Sequence, residues 1–232
     1  MKAIDRLFQE IRLWLKLKHD NIVPLWGVTD GAGSVPALVS PWLENGALTG
    51  FLQWKHETLS SSEKIALLRD VARGLQYLHS KSIVHGDLSG NNVLIDTNGK
   101  ALLTDFGLSV LLSERSDQVL LPKPGGSARW MAPESLGLGD EGHGSPVFST
   151  ASDVYSFGRI MLQVLEGRVP YHYIARYEVI ISLVLLGNHP RRPPASVISD
   201  AEWTFIQMCW LEDMVRRPRA DEIVAFVEGR KL

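Results

Sequence analysis

Apolar residues recur every three or four positions at the start of the chain: Ile4, Leu7, Phe8, Ile11, Trp14 and Leu15. That spacing predicts an amphipathic helix, ending near His19. Two short apolar segments follow, "NIVPLWGVTD" and "SVPALVSPW", on either side of "DGAGS". The turn residues between them predict a β-hairpin or two neighbouring strands. The "GAG" lacks the spacing and context of a phosphate-binding glycine loop. Next, "SSEKIALLRDVARGLQYLHSK" carries a long stripe of Ile65, Leu68, Val71, Ala72, Leu75 and Leu78, with Ser61 or Ser62 as its cap. The pattern then turns to loop, strand, a turn at "TNG", strand and loop. From about Thr150 it is helical again, in "SDVYSFGRIMLQVLEG", "ARYEVIISLVLLG", "DAEWTFIQMCW" and "ADEIVAFVEG", with Pro- and Gly-bearing loops between. The result is a helical body carrying one small β insertion, without repeats or low-complexity tracts.

Composition changes this picture little. The 232 residues suffice for one large domain or two small lobes, and 45% hydrophobic with 22% charged residues is ordinary for a soluble globular protein. Lys plus Arg number 24 against 26 Asp plus Glu, so nothing points to nucleic acid or an anionic membrane as partner. "VIISLVLLG" is too short to span a bilayer and reads as a buried helix. The N-terminus mixes apolar and charged residues throughout, unlike a signal peptide. One cysteine, Cys209, rules out an internal disulfide and a cysteine metal cluster. A reducing intracellular compartment, the cytoplasm, is the expectation.

The candidate chemistry lies in "HGDLSGNNVLIDTNGKALLTDFG", residues 85–107. Asp87, Asn92 and Asp105 end short apolar runs. Aspartate and asparagine there also serve as turn and cap residues, and on the residues alone that reading stays open.

In order along the chain, "HGDLSGNN" resembles the protein-kinase catalytic loop H-R-D-L-x-x-x-N, "DFG" at 105–107 its metal-binding motif, and "APE" at 132–134 the close of its activation segment. "SDVYSFG" and "CWLEDMVRRP" resemble further landmarks of that family. The chain thus resembles a eukaryotic-type protein kinase catalytic domain from residue 1 to about 230. "GGSARWMAPE" and "CW…RRP" lean toward the tyrosine-kinase-like group, mostly serine/threonine enzymes. The resemblance implies an α+β, protein-kinase-like fold: a mostly helical C-lobe from 44 to 232, and a truncated N-lobe with the hinge in 1–43, made of the first helix and about two strands.

It also implies roles. Asp87 would accept the proton of a protein substrate's hydroxyl as the γ-phosphate of ATP is transferred, and Asn92 and Asp105 would hold Mg2+. Ser40 would be the gatekeeper, the Leu43 backbone would meet the adenine edge, and Leu94 would pack beneath the ring. Glu10 aligns with the glutamate that pairs with a strand lysine. Trp14, Leu25, His85 and Phe106 would stack into a spine linking the lobes, and Gly107 would let the backbone turn. Glu134 would pair with Arg217, and Asp153 would bind the backbone of the catalytic loop.

The departures are specific. Gly86 stands where the motif has arginine, so phosphate at Ser109, Ser113 or Ser116 is not expected to order the segment 108–131 through that residue. Ser89 replaces a lysine usual in serine/threonine kinases, and Ser127 a threonine that contacts the catalytic aspartate. No glycine-rich loop or strand lysine precedes Glu10; Lys2 lies on the same helix. Three functions follow: a protein kinase impaired in this truncated chain, an inactive pseudokinase that scaffolds a protein partner over the exposed N-lobe remnant, and a nucleotide-sensing module.

Overall fold

The computed structural model describes residues 11–30, 37–105, 110–111, 127–137, 145–193 and 198–229, with the side chains of 110 and 111 excepted. The fold is α+β: helices make up most of it, and the strands are short and pair only two by two.

Of the first predicted helix, the turn at 11–14 is described. Leu15 N–H still donates to Ile11, but Lys16 donates to Leu13 and Leu17 to Trp14, so the last turn tightens to three-residue spacing. The helix therefore ends earlier than His19. Tightening also turns Leu15 outward, to 46% exposure, and brings Leu17 into the core at 6%. Ile4, Leu7, Phe8 and Glu10 lie outside the described residues. Trp14 is buried, and its indole N–H donates to Val23 O at 2.6 Å.

The predicted hairpin is present. Strand β1 (Gly27–Thr29) pairs antiparallel with β2 (Ala37–Val39), in register Val28 to Leu38. Helix α1 (Leu48–Lys55), absent from the expectations above, buries Leu48 and Leu52. Helix α2 (Ser61–Ser80) is the long central helix. Its cap is Ser60 rather than Ser61 or Ser62. The Ser60 hydroxyl accepts from Glu63 N–H, and the Glu63 carboxylate accepts from Ser60 N–H at 2.8 Å. Gly74 lets α2 approach closely: a Cβ there would lie 2.8 Å from Asn21 O.

Strand β3 (Ile83–Val84) pairs with β6 (Val110–Leu111), and β4 (Val93–Ile95) pairs with β5 (Ala101–Leu103), all antiparallel. Two single bridges tie the segments together: Ile22 to Leu103, and Ala47 to Leu94. Helix α3 (Thr150–Glu166) is buried along nearly its whole length, as a helix at the centre of a bundle must be. Helices α4 (Tyr177–Leu185), α5 (Asp200–Cys209) and α6 (Ala220–Val227) complete the body. One continuous core runs from Ile11 and Trp14 through α2 and α3 to α6. No helix among the described residues is long and apolar enough to cross a membrane.

Candidate active site

The loop between β3 and β4 is held from below by one carboxylate. Asp153, in the first turn of α3, accepts the backbone N–H of His85 at 2.9 Å on Oδ2 and that of Gly86 at 3.0 Å on Oδ1. This is the contact expected of Asp153. The His79 ring, on α2, reaches the same Oδ2 at 2.8 Å. Gly86 has φ of 80°, the left-handed region that glycine enters without strain. That turn, with both N–H groups pinned, directs the following residue, Asp87, away from α3.

Asp87 is half-buried and unevenly partnered. The Asn92 amide donates to its Oδ2 at 3.0 Å and to its carbonyl at 2.8 Å. Oδ1 is buried and has no hydrogen-bond partner among the described residues. Burial pushes the carboxyl above the ordinary aspartate range; Ser127, His85 and Asn92 oppose that shift, and the neighbouring charge of Asp105 adds to it. His85 is fully buried, and burial lowers its basicity against the pull of Asp153, Asp87 and Asp105.

Asp105 sits at the same mouth. Thr104 N–H donates to Asn92 O at 3.0 Å, placing Asp105 one residue beyond a direct link to Asn92. It is exposed, and its backbone is left-handed, with φ of 58°, a conformation that costs a non-glycine residue energy. Asn92 spends its amide N–H on Asp87, and its side-chain oxygen has no hydrogen bond among the described residues. Two carboxylates and one amide oxygen suit Mg2+, a hard cation that keeps several water and phosphate ligands. Among the described residues, no group of three or more His, Cys, Asp or Glu gathers to form a closed protein cage.

The other expected positions fall as follows. Leu43 and Leu94 are half-buried and pack on the core. The Ala47–Leu94 bridge and the bond from Ile95 N–H to Gly46 O, 2.9 Å, set the 43–47 segment beside β4. Ser40 is exposed. Leu25 and Trp14 are buried with His85. Glu10, Phe106 and Gly107 lie outside the described residues, as do Ser109, Ser113 and Ser116. Glu134 and Arg217 form the expected pair, fork to fork, at 2.5 and 3.1 Å.

A buried polar relay also supports the loop, and the sequence did not announce it. Trp130 N–H donates to Gln163 Oε1 at 3.0 Å, Gln163 donates to Thr49 Oγ1 at 3.1 Å, and Thr49 N–H donates to Gly90 O at 3.0 Å. Gly90 has no room for a side chain, since a Cβ would lie 2.7 Å from Thr49 Oγ1 and against the Gln163 amide. The only signal in the sequence is a glycine inside the loop, because its partners come from remote segments.

The sequence profile of the family described as protein tyrosine and serine/threonine kinase matches residues 1–227. The chain is 34% identical to human ephrin type-A receptor 8 over 213 residues, covering 91% of this chain and 20% of the receptor. It is 32% identical to ephrin type-B receptor 3 of Xenopus laevis, covering 90% and 21% respectively. To mouse ephrin type-B receptor 4 it is likewise 32% identical, over 92% of this chain and 21% of the receptor. The chain thus spans about a fifth of the length of these relatives. With the profile matched over nearly the whole chain and the catalytic loop, Asp105 turn and Glu134–Arg217 pair in place, the chain belongs to the protein tyrosine and serine/threonine kinase family.

Proposed function

We propose that this chain is a protein kinase domain that binds ATP with Mg2+ and transfers the γ-phosphate to a hydroxyl of a protein substrate, with Asp87 as the proton-accepting residue and with turnover impaired in residues 1–232 taken alone. The observation that carries this is the state of Asp87: one oxygen fixed by Asn92, the other buried and without a hydrogen-bond partner among the described residues. An incoming hydroxyl would donate to Oδ1 and be aligned for attack. Asn92 and Asp105 would hold the metal, which when bound neutralises charge on the phosphate oxygens. The Leu43 backbone and the Leu94 side chain would receive the adenine, with Ser40 as gatekeeper. Glu10 would answer a strand lysine.

The family description covers both hydroxyl classes, and the ephrin receptor relatives lend no support to a serine/threonine preference. We infer serine or threonine as acceptor from the resemblance at Ser127, which stands where serine/threonine kinases carry a threonine beside the catalytic aspartate. A peptide panel offering serine, threonine and tyrosine in one sequence context decides the class.

A second reading, a scaffold without turnover, draws on the surface around β1 and β2. Trp26 is 68% and Trp42 87% exposed, with Val28 at 50%, a face suited to a protein partner.

The test is phosphotransfer by residues 1–232 beside Asp87→Asn. These residues include no glycine-rich loop or strand lysine, and each preorganised donor is worth roughly a hundredfold to a thousandfold in rate. Turnover is therefore expected to be barely detectable, lost in Asp87→Asn, and restored when a segment carrying both elements precedes residue 1. Robust turnover by 1–232 alone overturns the impairment. Failure to bind magnesium–ATP even with that segment present overturns the kinase reading in favour of the scaffold.

A further inference from the structure

A cavity of about 980 Å³ opens between α2, the first turn of α3 and residues 214–221. It shares no lining residue with the Asp87 site. We propose that it is a regulatory site for a small organic anion with a flat apolar body, acting on the catalytic loop through His79 and Asp153.

Its size lies at the upper end of small-molecule sites, about 300–1,000 Å³. The apolar part of the wall comes from Tyr77, Val154, Met214 and Val215. Met214 and Val215 are 37% and 92% exposed, so apolar surface is available to a ligand there. The Tyr77 ring stacks on His19, 4.8 Å between centroids and 20° between planes, with Lys81 Nζ 5.8 Å from its centroid, so this wall already accommodates a flat aromatic contact.

The charge points to an anion. Arg73, Arg217 and Arg219 line the cavity, and among the described residues Asp221 is the one acidic residue that does. Arg217 is committed to Glu134. Arg219 holds Asp221 at 2.7 Å, but both side chains are more than half exposed, and such a pair is worth little and exchanges readily. Arg73 meets Glu228 through Nε and Nη2, both on one oxygen, leaving Nη1 for a ligand. Ser149, Thr150 and Ala151, the opening turn of the 17-residue α3, also face the cavity and bring its positive end there.

The route to the loop is one side chain long. His79 lines the cavity and bonds Asp153 Oδ2 at 2.8 Å. The same carboxylate holds the N–H groups of His85 and Gly86, one residue before Asp87. An anion beside His79 fixes its ring and so tightens the support of the loop. None of this depends on phosphotransfer, so an inactive chain would bind equally.

The probe is 1-anilinonaphthalene-8-sulfonate, a flat apolar anion, titrated by fluorescence against residues 1–232. Its uncharged analogue, N-phenyl-1-naphthylamine, is the control. The expected result is one saturable site, with the analogue and Arg219→Ala each binding roughly tenfold more weakly, about one charge-assisted hydrogen bond. Gln76→Trp, which fills the cavity from α2, abolishes binding. Saturating probe slows hydrogen exchange at the His85 and Gly86 amides by roughly threefold or more in the wild type, and not in Gln76→Trp. Equal affinity for the uncharged analogue, or unchanged affinity in both variants, overturns the site. Unchanged exchange at 85 and 86 with the probe bound overturns the coupling.

Discussion

Asp87 must be ionised to accept a proton, yet the fold disfavours its ionised form. Burial raises its carboxyl above the ordinary range. The proton therefore leaves the unfolded chain at lower pH than it leaves the folded one. Stability contributed by this residue is complete below the ordinary aspartate range and is lost as pH rises through the folded value. Asp87→Asn removes that slope, so the variant should gain on the wild type as pH is raised from 3 toward 7 in urea titrations. A constant offset between the two proteins would contradict it. His189 behaves in the opposite sense. Burial first, then Arg159 and Arg217, lower it from 6.5 to about 4, and it stacks on Trp210 at 5.1 Å. A lowered histidine supports the fold fully above 6.5 and loses that support as pH falls toward about 4. His189 as a residue is exposed, so the full shift overstates the effect; about 1 kcal/mol is expected. His189→Gln should flatten the wild type's loss of stability in that window, and a steeper loss in the variant would count against it.

At the scale of elements, hydrophobic period was the reliable guide. The stripe on α2 was legible because Leu68, Val71, Ala72, Leu75 and Leu78 keep one face over about three turns, and all are buried, with Ile65 half-buried ahead of them. The α3 pattern was legible for the same reason. Helix α1 was not, since its eight residues bury only Leu48 and Leu52, and too few turns establish a period. Boundaries were less legible than faces. The cap of α2 is decided by Ser60, because only that residue stands three before Glu63 and can exchange hydrogen bonds with it. Ser60→Ala should therefore cost about 1 kcal/mol of stability, while Ser61→Ala should cost little. Thermal unfolding of the two variants tests the assignment, and equal losses would move the cap. In the candidate site, the positions of Asp87 and Asn92 were legible from one loop motif, and those of Asp105 and Asp153 from two further motifs along the chain; their catalytic roles belong to the proposal. The relay from Trp130 through Gln163 to Thr49 was not. Its members lie 33 and 114 residues apart, and nothing local marks them as neighbours.

At the scale of the whole molecule, the end of the activation segment is fastened to the helical body mainly through Arg217. Its side chain is fully buried, and it makes four hydrogen bonds: two to Glu134, one to Ala151 O and one to Leu211 O. The guanidinium thus joins the Pro133–Leu136 turn, the start of α3 and the loop after α5. Arg129 adds a second fastening, donating to the carbonyls of Pro170, Tyr171 and Ile174 from the same segment. A buried ion pair adds little beyond a well-packed apolar pair, but losing one partner leaves an uncompensated charge. Arg217→Met should cost roughly 3–5 kcal/mol, because Glu134 keeps its charge with only 13% of its side chain exposed. Glu134→Gln in the same chain removes that charge. The double variant should then recover part of the loss. The measurement is a double-mutant cycle by urea denaturation. Additive losses would show that the four contacts of Arg217 act separately, and that the pair is not what fastens the segment to the body.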